Sequence, residues 1–300
     1  MFVQVHSLVL RLSAVLVSWC VSGMISSPAD VLSQPTEGRK LAQAYCATCH
    51  VFPEPELLDK KTWRSQTLPR MKIRMGLAPQ QIDSHPEGKL LRETGIFPTS
   101  PIISTQDWNA IVLYYFHAAP ERPLPQDPRP EIKIGLKHFQ PEPPLFRRTT
   151  PSTTLVKISE SARTIFAADA ETQSIDILKG DGALLQSIKV NNIPVSLVEN
   201  ADSIFVASIG SFQPSEQRKG TLIALPSKGG GFSPAKVLLE HLPRTTCLEM
   251  ADLNRDGKPD FILSMYGNNA GRLSWFENRA QETFEERVLL PKSGAIRTET

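Results

Sequence analysis

Aromatic residues make up only 7% of this 300-residue chain, and it has almost no net charge, with Lys+Arg 33 against Asp+Glu 31. A chain so close to neutral lacks the basic excess that nucleic-acid partners require. Few aromatics combined with 25 prolines argue for a loop-rich, partly β protein rather than one large helical body. The four cysteines are too unevenly placed for a disulfide framework: Cys20 lies in the leader, Cys46 and Cys49 form a close pair, and Cys247 stands alone. Cys247, in TTCLEMADL, reads as a buried core thiol. No nucleophile with its base, no acid/base pair and no dinucleotide loop is visible. Three hundred residues make two domains the natural expectation.

Against that background stands Cys46-Ala47-Thr48-Cys49-His50, the CATCH run inside AQAYCATCHVF. C-x-x-C-H is the attachment pattern of c-type haem. Two thiols one helical turn apart can each add to a vinyl group on one porphyrin edge, and the next histidine then comes under the iron. A zinc site would need a second Cys/His pair, and the next cysteine is Cys247. A thioredoxin-like pair should follow a strand, whereas GRKLAQAY reads as helix, with Leu41, Ala44 and Tyr45 on one face. One covalent haem c held by Cys46 and Cys49, with His50 as axial ligand, is therefore the expected cofactor.

The N-terminus reads as a targeting segment. Val9–Ile25 is apolar, His6 and Arg11 form a weak basic side, and Ser27-Pro28-Ala29 offers a small-residue cleavage site. The apolar core is short for a membrane span, which needs roughly 20 residues. A signal peptide over 1–29 and a periplasmic or otherwise exported protein follow, with membrane attachment only through an uncleaved leader.

Helical patterns fill the chain from about Glu37 to Pro120. The first, capped at Thr36, ends in the CATCH motif. The second, Thr62–Leu77, is broken or started by Pro69; QQIDSHPEGKLLRETG holds a third; the last carries Trp108, Ile111, Val112, Tyr115 and Phe116 on its apolar side. This order, over about 85 residues, resembles a small class I cytochrome c, which implies an all-α domain over 30–119. Such a domain needs a second axial ligand, usually methionine. Met250 and Met265 fall in the β region, leaving Met71 or Met75, which share a helix face. The Leu68-Pro69-Arg70-Met71 run resembles the ligand loop of cytochrome domains fused to repeat propellers, which favours Met71, with Met75 as the alternative. His85 and His117 are the bis-histidine alternatives. Lys60, Lys61, Arg64, Arg70, Lys72 and Arg74 cluster here, either as a solvated face or as a basic rim that steers an acidic redox partner.

Eight prolines between Ala119 and Phe146 mark a stiff linker over 120–146. From 147 to 300 the sequence breaks into short β runs. IFAAD at 165, IFVAS at 204 and FILSM at 261 recur as equivalents, as do SIDILKGD at 174, TLIALPSK at 221 and RLSWFENR at 272. Four strands per unit is the signature of propeller blades. The third unit contains DLNRDGKPD, with oxygen-bearing side chains at loop positions 1, 3, 5 and 9 and a glycine at 6, a calcium-loop pattern. It is not an EF-hand, since Leu263 occupies position 12 and FILSM is strand. DLNRDGKPDFIL followed by GRLSWFEN resembles the FG-GAP/VCBS repeat, which implies calcium bound by Asp252, Asn254, Asp256, Asp260 and the carbonyl of Lys258. The first two units lack the motif.

Three blades do not close a propeller, so a partial FG-GAP/VCBS propeller on a truncated chain is expected. The fold class that follows is multidomain, an all-α cytochrome c domain followed by all-β propeller blades. The function is one-electron transfer, with the propeller as docking scaffold. Three alternatives stand: an oxidoreductase whose catalytic site lies in missing blades, a non-enzymatic adhesion or interaction module, and a peroxidase, which Met71 in the sixth position argues against.

Overall fold

A computed structural model describes residues 28–135, 137–228, 231–280 and 283–299 of the chain. The expected leader lies almost wholly outside these residues, Cys20 and Val9–Ile25 included. The chain divides into two compact units. One contains the described residues up to Trp63 together with Gln106–Leu124, and the other contains Arg64–Thr105 and the residues from Pro125 onward.

The helices, in chain order, are α1 (Pro28–Cys46), α2 (Lys60–Thr62), α3 (Leu68–Arg74), α4 (Pro79–Asp83), α5 (Gly88–Glu93) and α6 (Thr105–Ala118). A π turn at Trp63–Thr67 joins α2 to α3, and Pro69 sits in the first turn of α3, where its missing N–H costs nothing. Because α1 starts at Pro28, Thr36 lies inside the helix rather than capping it. In the first unit α1 meets α6 at Gly38. A Cβ there would fall 2.4 Å from the Ala110 carbonyl oxygen and 2.8 Å from Tyr114 Cβ, so only glycine permits this approach.

The second unit has its own small helical core, in which Ile82, Leu91 and Phe97 pack together with Ile73 against them. Gly76 (φ +73°) ends α3 where a side chain would strike the Ser100 carbonyl at 2.5 Å. The rest of the unit is β. The strands are β1 (Thr153–Ser159), β2 (Thr164–Asp169), β3 (Ser174–Lys179), β4 (Leu184–Lys189), β5 (Pro194–Glu199), β6 (Ser203–Ser208), β7 (Gly220–Lys228), β8 (Gly231–Phe232), β9 (Lys236–Leu242), β10 (Thr245–Ala251), β11 (Asp260–Met265), β12 (Arg272–Ala280) and β13 (Thr283–Leu290). They form three antiparallel sheets: β1-β2-β3-β4; β5-β6-β7-β8, with β9 also on β7; and β10-β11-β12-β13. Each is a meander, the cheapest way to pair strands that follow closely in sequence.

The middle sheet is covered on both faces. Phe166, Ile175 and Ile177 of the first sheet pack against Leu197, Ile204, Val206, Ile223 and Leu225 of the second. The other face of the second sheet gives Val198, Ala207 and Leu222 to a cluster with Leu248, Phe261, Leu263, Met265 and Phe276 of the third. This explains why SIFVAS and TLIAL read as nearly continuous apolar runs instead of alternating ones. Each fully buried large side chain contributes about 1.5–3 kcal/mol of transfer free energy.

This architecture corrects the expected one. No all-α cytochrome c domain spans 30–119: apart from α1 and α6, the α-helices among the described residues are three to seven residues long. Arg64–Thr105 moreover groups with the β unit, not with α1 and α6. Nor is the expected propeller seen: among the described residues the strands form three antiparallel sheets that do not close into one. What stands is a β-rich fold with a few helices. The recurring strand runs, read as propeller blades, form antiparallel meanders instead, because local periodicity carries no information about whether successive sheets close a ring.

Candidate functional site

α1 delivers Cys46 as its last residue, and the chain leaves the helix through the turn holding Ala47, Thr48 and Cys49. The Thr48 hydroxyl donates to the Tyr45 carbonyl at 2.7 Å, catching one of the acceptors that a helix end leaves unpaired. The same hydroxyl lies 3.6 Å from Cys49 Sγ. Neither thiol is in a disulfide; Cys46 is half-buried and Cys49 exposed. Burial pushes the Cys46 thiol up from its ordinary pKa, a hydrogen bond with Tyr115 opposes this, and the nearby Cys49 adds to the rise. Cys46 is thus held as a neutral thiol.

His50 is exposed, and its Nδ1 is 2.8 Å from the Val51 carbonyl oxygen. With the proton on Nδ1, that nitrogen donates to the carbonyl and Nε2 carries the free lone pair, the form in which imidazole binds a metal. Behind the motif, the Tyr115 hydroxyl donates to the Pro53 carbonyl at 2.7 Å and Trp63 Nε1 to the Pro55 carbonyl at 2.8 Å. The two rings pack with centroids 4.3 Å apart and planes tilted by 40°. Burial pushes the Tyr115 phenol strongly upward, with Cys46 adding to it, so Tyr115 stays a donor. These two aromatic anchors fix the segment that follows His50. The donor set, one half-buried and one exposed thiol spaced by two residues with an exposed imidazole next in sequence, fits covalent haem chemically.

The methionines lie in the second unit. Met71 is half-buried on α3; Met75, at its end, is 6% exposed, and its N–H donates to the Met71 carbonyl at 2.9 Å. Burial to that degree is the ordinary state of a methionine filling a core. His85 accepts the Glu87 N–H on its Nδ1 at 3.1 Å, and His117 stands edge-on to Phe116. Of the basic residues, Lys60 pairs with Glu121, and Arg74 donates to Asn269 Oδ1 at 3.0 Å while stacking on Phe97. Arg70 and Lys72 are exposed.

The Asp252–Asp260 loop joins β10 to β11, with Arg255 (φ 62°) and Gly257 (φ 83°) in left-handed conformations that turn it sharply. The Asp256 N–H donates to both Asp252 Oδ1 (3.1 Å) and Asn254 Oδ1 (3.0 Å), and the Gly257 N–H donates to Asp252 Oδ2 (2.9 Å). Those contacts gather two of the expected calcium donors. Two others, Asp256 and Asp260, are engaged elsewhere. Asp256 is paired with Lys258 Nζ at 3.0 Å, and the fully buried Asp260 accepts the N–H groups of Leu253 (3.2 Å) and Asn278 (2.8 Å). Among the described residues no three His, Cys, Asp or Glu side chains converge as a metal-holding group.

Sequence reasoning missed the buried carboxylate of Glu216. It accepts the N–H of Asn269 (3.1 Å), the side-chain amide of Asn269 (2.9 Å) and the N–H of Ala270 (2.8 Å). The Glu216 N–H itself donates to Glu87 at 2.9 Å, and Ser215 donates to the same carboxylate at 2.5 Å. This network ties the helical part of the second unit to the β6–β7 and β11–β12 loops. Nothing in SFQPSEQRK marks it, because its partners lie far away in sequence.

No protein-family model matches the chain, and no curated protein matches it. With no converged metal group among the described residues, the assignment to a class I cytochrome c fused to an FG-GAP/VCBS propeller is corrected to a β-rich fold alone. The two motifs specify short loops, and neither dictates the body to which its loop belongs.

Proposed function

We propose that this chain carries one covalently attached haem and transfers single electrons through it. The observation that supports this reading is the state of the CATCH segment: both thiols unpaired at a helix end, followed by an imidazole whose Nδ1 faces a backbone carbonyl. Cys46 and Cys49 would form the thioethers and His50 would bind the iron, with Met71 as the second axial ligand and Met75 as its alternative. When bound, haem supplies a reversible one-electron couple. The chain's own part is to present the thiols and to hold the imidazole in one tautomer. Tyr115 and Trp63 keep the following segment in place.

In the same reading the protein is exported, the sheets serve as a docking scaffold, and the exposed cations Arg70 and Lys72 favour an acidic redox partner. Calcium in the Asp252–Asp260 loop belongs to the proposal as well. Asp252, Asn254, Asp256 and the Lys258 carbonyl would be its donors and Asp260 a further one, the cation taking the place of Lys258 Nζ beside Asp256.

The test is expression of the full chain with a haem-maturation system, followed by denaturing electrophoresis with haem staining. Wild type should stain, Cys46→Ala and Cys49→Ala should stain weakly, and the double variant should not stain although its sheet signal in circular dichroism persists. Met71→Ala should remove the near-infrared sulfur–iron band, whereas Met75→Ala should keep it. An unstained wild type, or a double variant that retains haem, would overturn the proposal.

A further inference from the structure

The first sheet has two faces of different character. Leu155, Phe166, Ala168, Ile175, Ile177 and Ile188 point into the core shared with the second sheet. The opposite face carries Val156, Ala167 and Asp176 as register partners across β1, β2 and β3, with Asp169 and Leu178 on the same side. Residues 144–151, the end of the proline-rich stretch, cross this face. Their hold on it is specific. The Phe146 N–H donates to the Gly182 carbonyl at 2.9 Å, and the Ser152 N–H to Asp169 at 2.7 Å. Arg148 donates twice to the buried Asp176, at 2.8 and 2.6 Å, and once to Ser174 at 3.0 Å, with its guanidinium 5.6 Å from the Phe146 ring centroid.

Between this strap and the sheet lies a cavity of about 340 Å³, with Phe146, Val156, Ala167 and Leu178 in its wall. That volume is at the small end of ligand pockets, about 300–1,000 Å³. The charges around it are unequally committed. Asp176 is saturated by Arg148, and Asp169 accepts from Ser152 and from both the N–H and the hydroxyl of Thr172. Arg147, also in the wall, is exposed and makes no hydrogen bond or ion pair among the described residues. An apolar floor whose one uncommitted charge is a guanidinium selects for a small molecule with an apolar body and an anionic head.

The geometry points to a binding site for such a ligand, a medium-chain aliphatic carboxylate, between the 144–151 strap and the outer face of the first sheet. The site is independent of the haem motif. Its test is calorimetric titration of the full chain with octanoate and, separately, with octanamide, its uncharged counterpart. Wild type should bind octanoate saturably at one site and octanamide about tenfold more weakly. Arg147→Gln should weaken octanoate about tenfold and leave octanamide unchanged, which removes the preference. Ala167→Phe should abolish both by filling the cavity. Should that variant melt early, transferred magnetisation from octanoate to the Val156 and Leu178 methyls of wild type decides the location. Absence of saturable octanoate binding, equal affinity in Arg147→Gln, or magnetisation transfer to other methyls would overturn the assignment.

Discussion

The two units treat their polar groups in opposite ways. In the second, buried carboxylates are saturated by their own chain: Glu216 by Asn269 and Ala270, Asp176 by Arg148, and Asp260 by two backbone amides. In the first, the groups with the most chemistry, Cys49 and His50, are exposed, and Thr48 and Val51, the partners recorded for them, are sequence neighbours. A polar group whose hydrogen-bonding capacity is filled from within stabilises structure and has little left for a ligand. Reactive groups held on an ordered helix end but left open are placed for chemistry. In the first unit the open groups are those of the CATCH turn, whereas in the second the buried carboxylates are committed to holding loops and strands together.

The largest effect should come from Phe261→Ala. Phe261 is 1% exposed and touches Phe205 and Phe284, with centroids at 5.0 and 5.3 Å. Its truncation should cost about 3–5 kcal/mol in urea unfolding of the β unit. Haem staining at Cys46 and Cys49 should survive under native conditions. If the loss of staining tracked the loss of sheet, the two units would not be separable in this way.

Next comes Glu216→Ala, which leaves the part-buried N–H groups of Asn269 and Ala270 without their acceptor and should destabilise the second unit by about 2 kcal/mol. Glu216→Gln keeps an acceptor and should cost clearly less. Equal, small effects for both would mean that water fills the role of the carboxylate.

The calcium proposal predicts a change of similar size from a loop rather than a core. A cation that binds only the folded protein stabilises it by about 2.7 kcal/mol at a hundredfold excess over Kd. Chelation should therefore lower the Tm of the β unit, and Asp256→Ala should remove that response. An unchanged melting curve on chelation would leave the loop as a turn closed by its own amides and Lys258.

The smallest effect should come from acid. Hydrogen bonds from the Lys258 side chain and N–H hold Asp256 below the usual carboxylate range. For Glu286, burial pushes upward, but Arg272 and Ser274 bring it below its ordinary value. Burial likewise pushes Asp169 and Glu87 upward, and their hydrogen bonds more than reverse it. A carboxylate whose folded pKa is depressed contributes stability above its unfolded value and loses it as pH falls through the folded one. Stability should thus be flat above the ordinary carboxylate values of 3.8 and 4.5 and decline below them. A decline beginning near neutrality would point to a histidine instead.

The short-range features follow from local sequence. The helix running into Cys46, the start of α3 at Pro69, the turn with Gly257 and the twelve longer strands were all legible, because periodicity, proline and glycine act within a few residues. The two-residue β8 was missed, since no pattern fits in a pair. Tertiary structure alone decided the rest. Arg64–Thr105 reads as part of an all-helical body, yet Arg74, Glu87 and Glu93 join Asn269, Ser215 and Arg218 of the β loops. Such contacts join residues more than a hundred positions apart, and nothing in local composition records them. Sheet closure is undetermined for the same reason: strand patterning sets which residues face inward, whereas ring closure depends on how whole sheets meet. The CATCH and DLNRDGKPD segments were misleading as family marks, since a few side chains can define a loop on many different bodies.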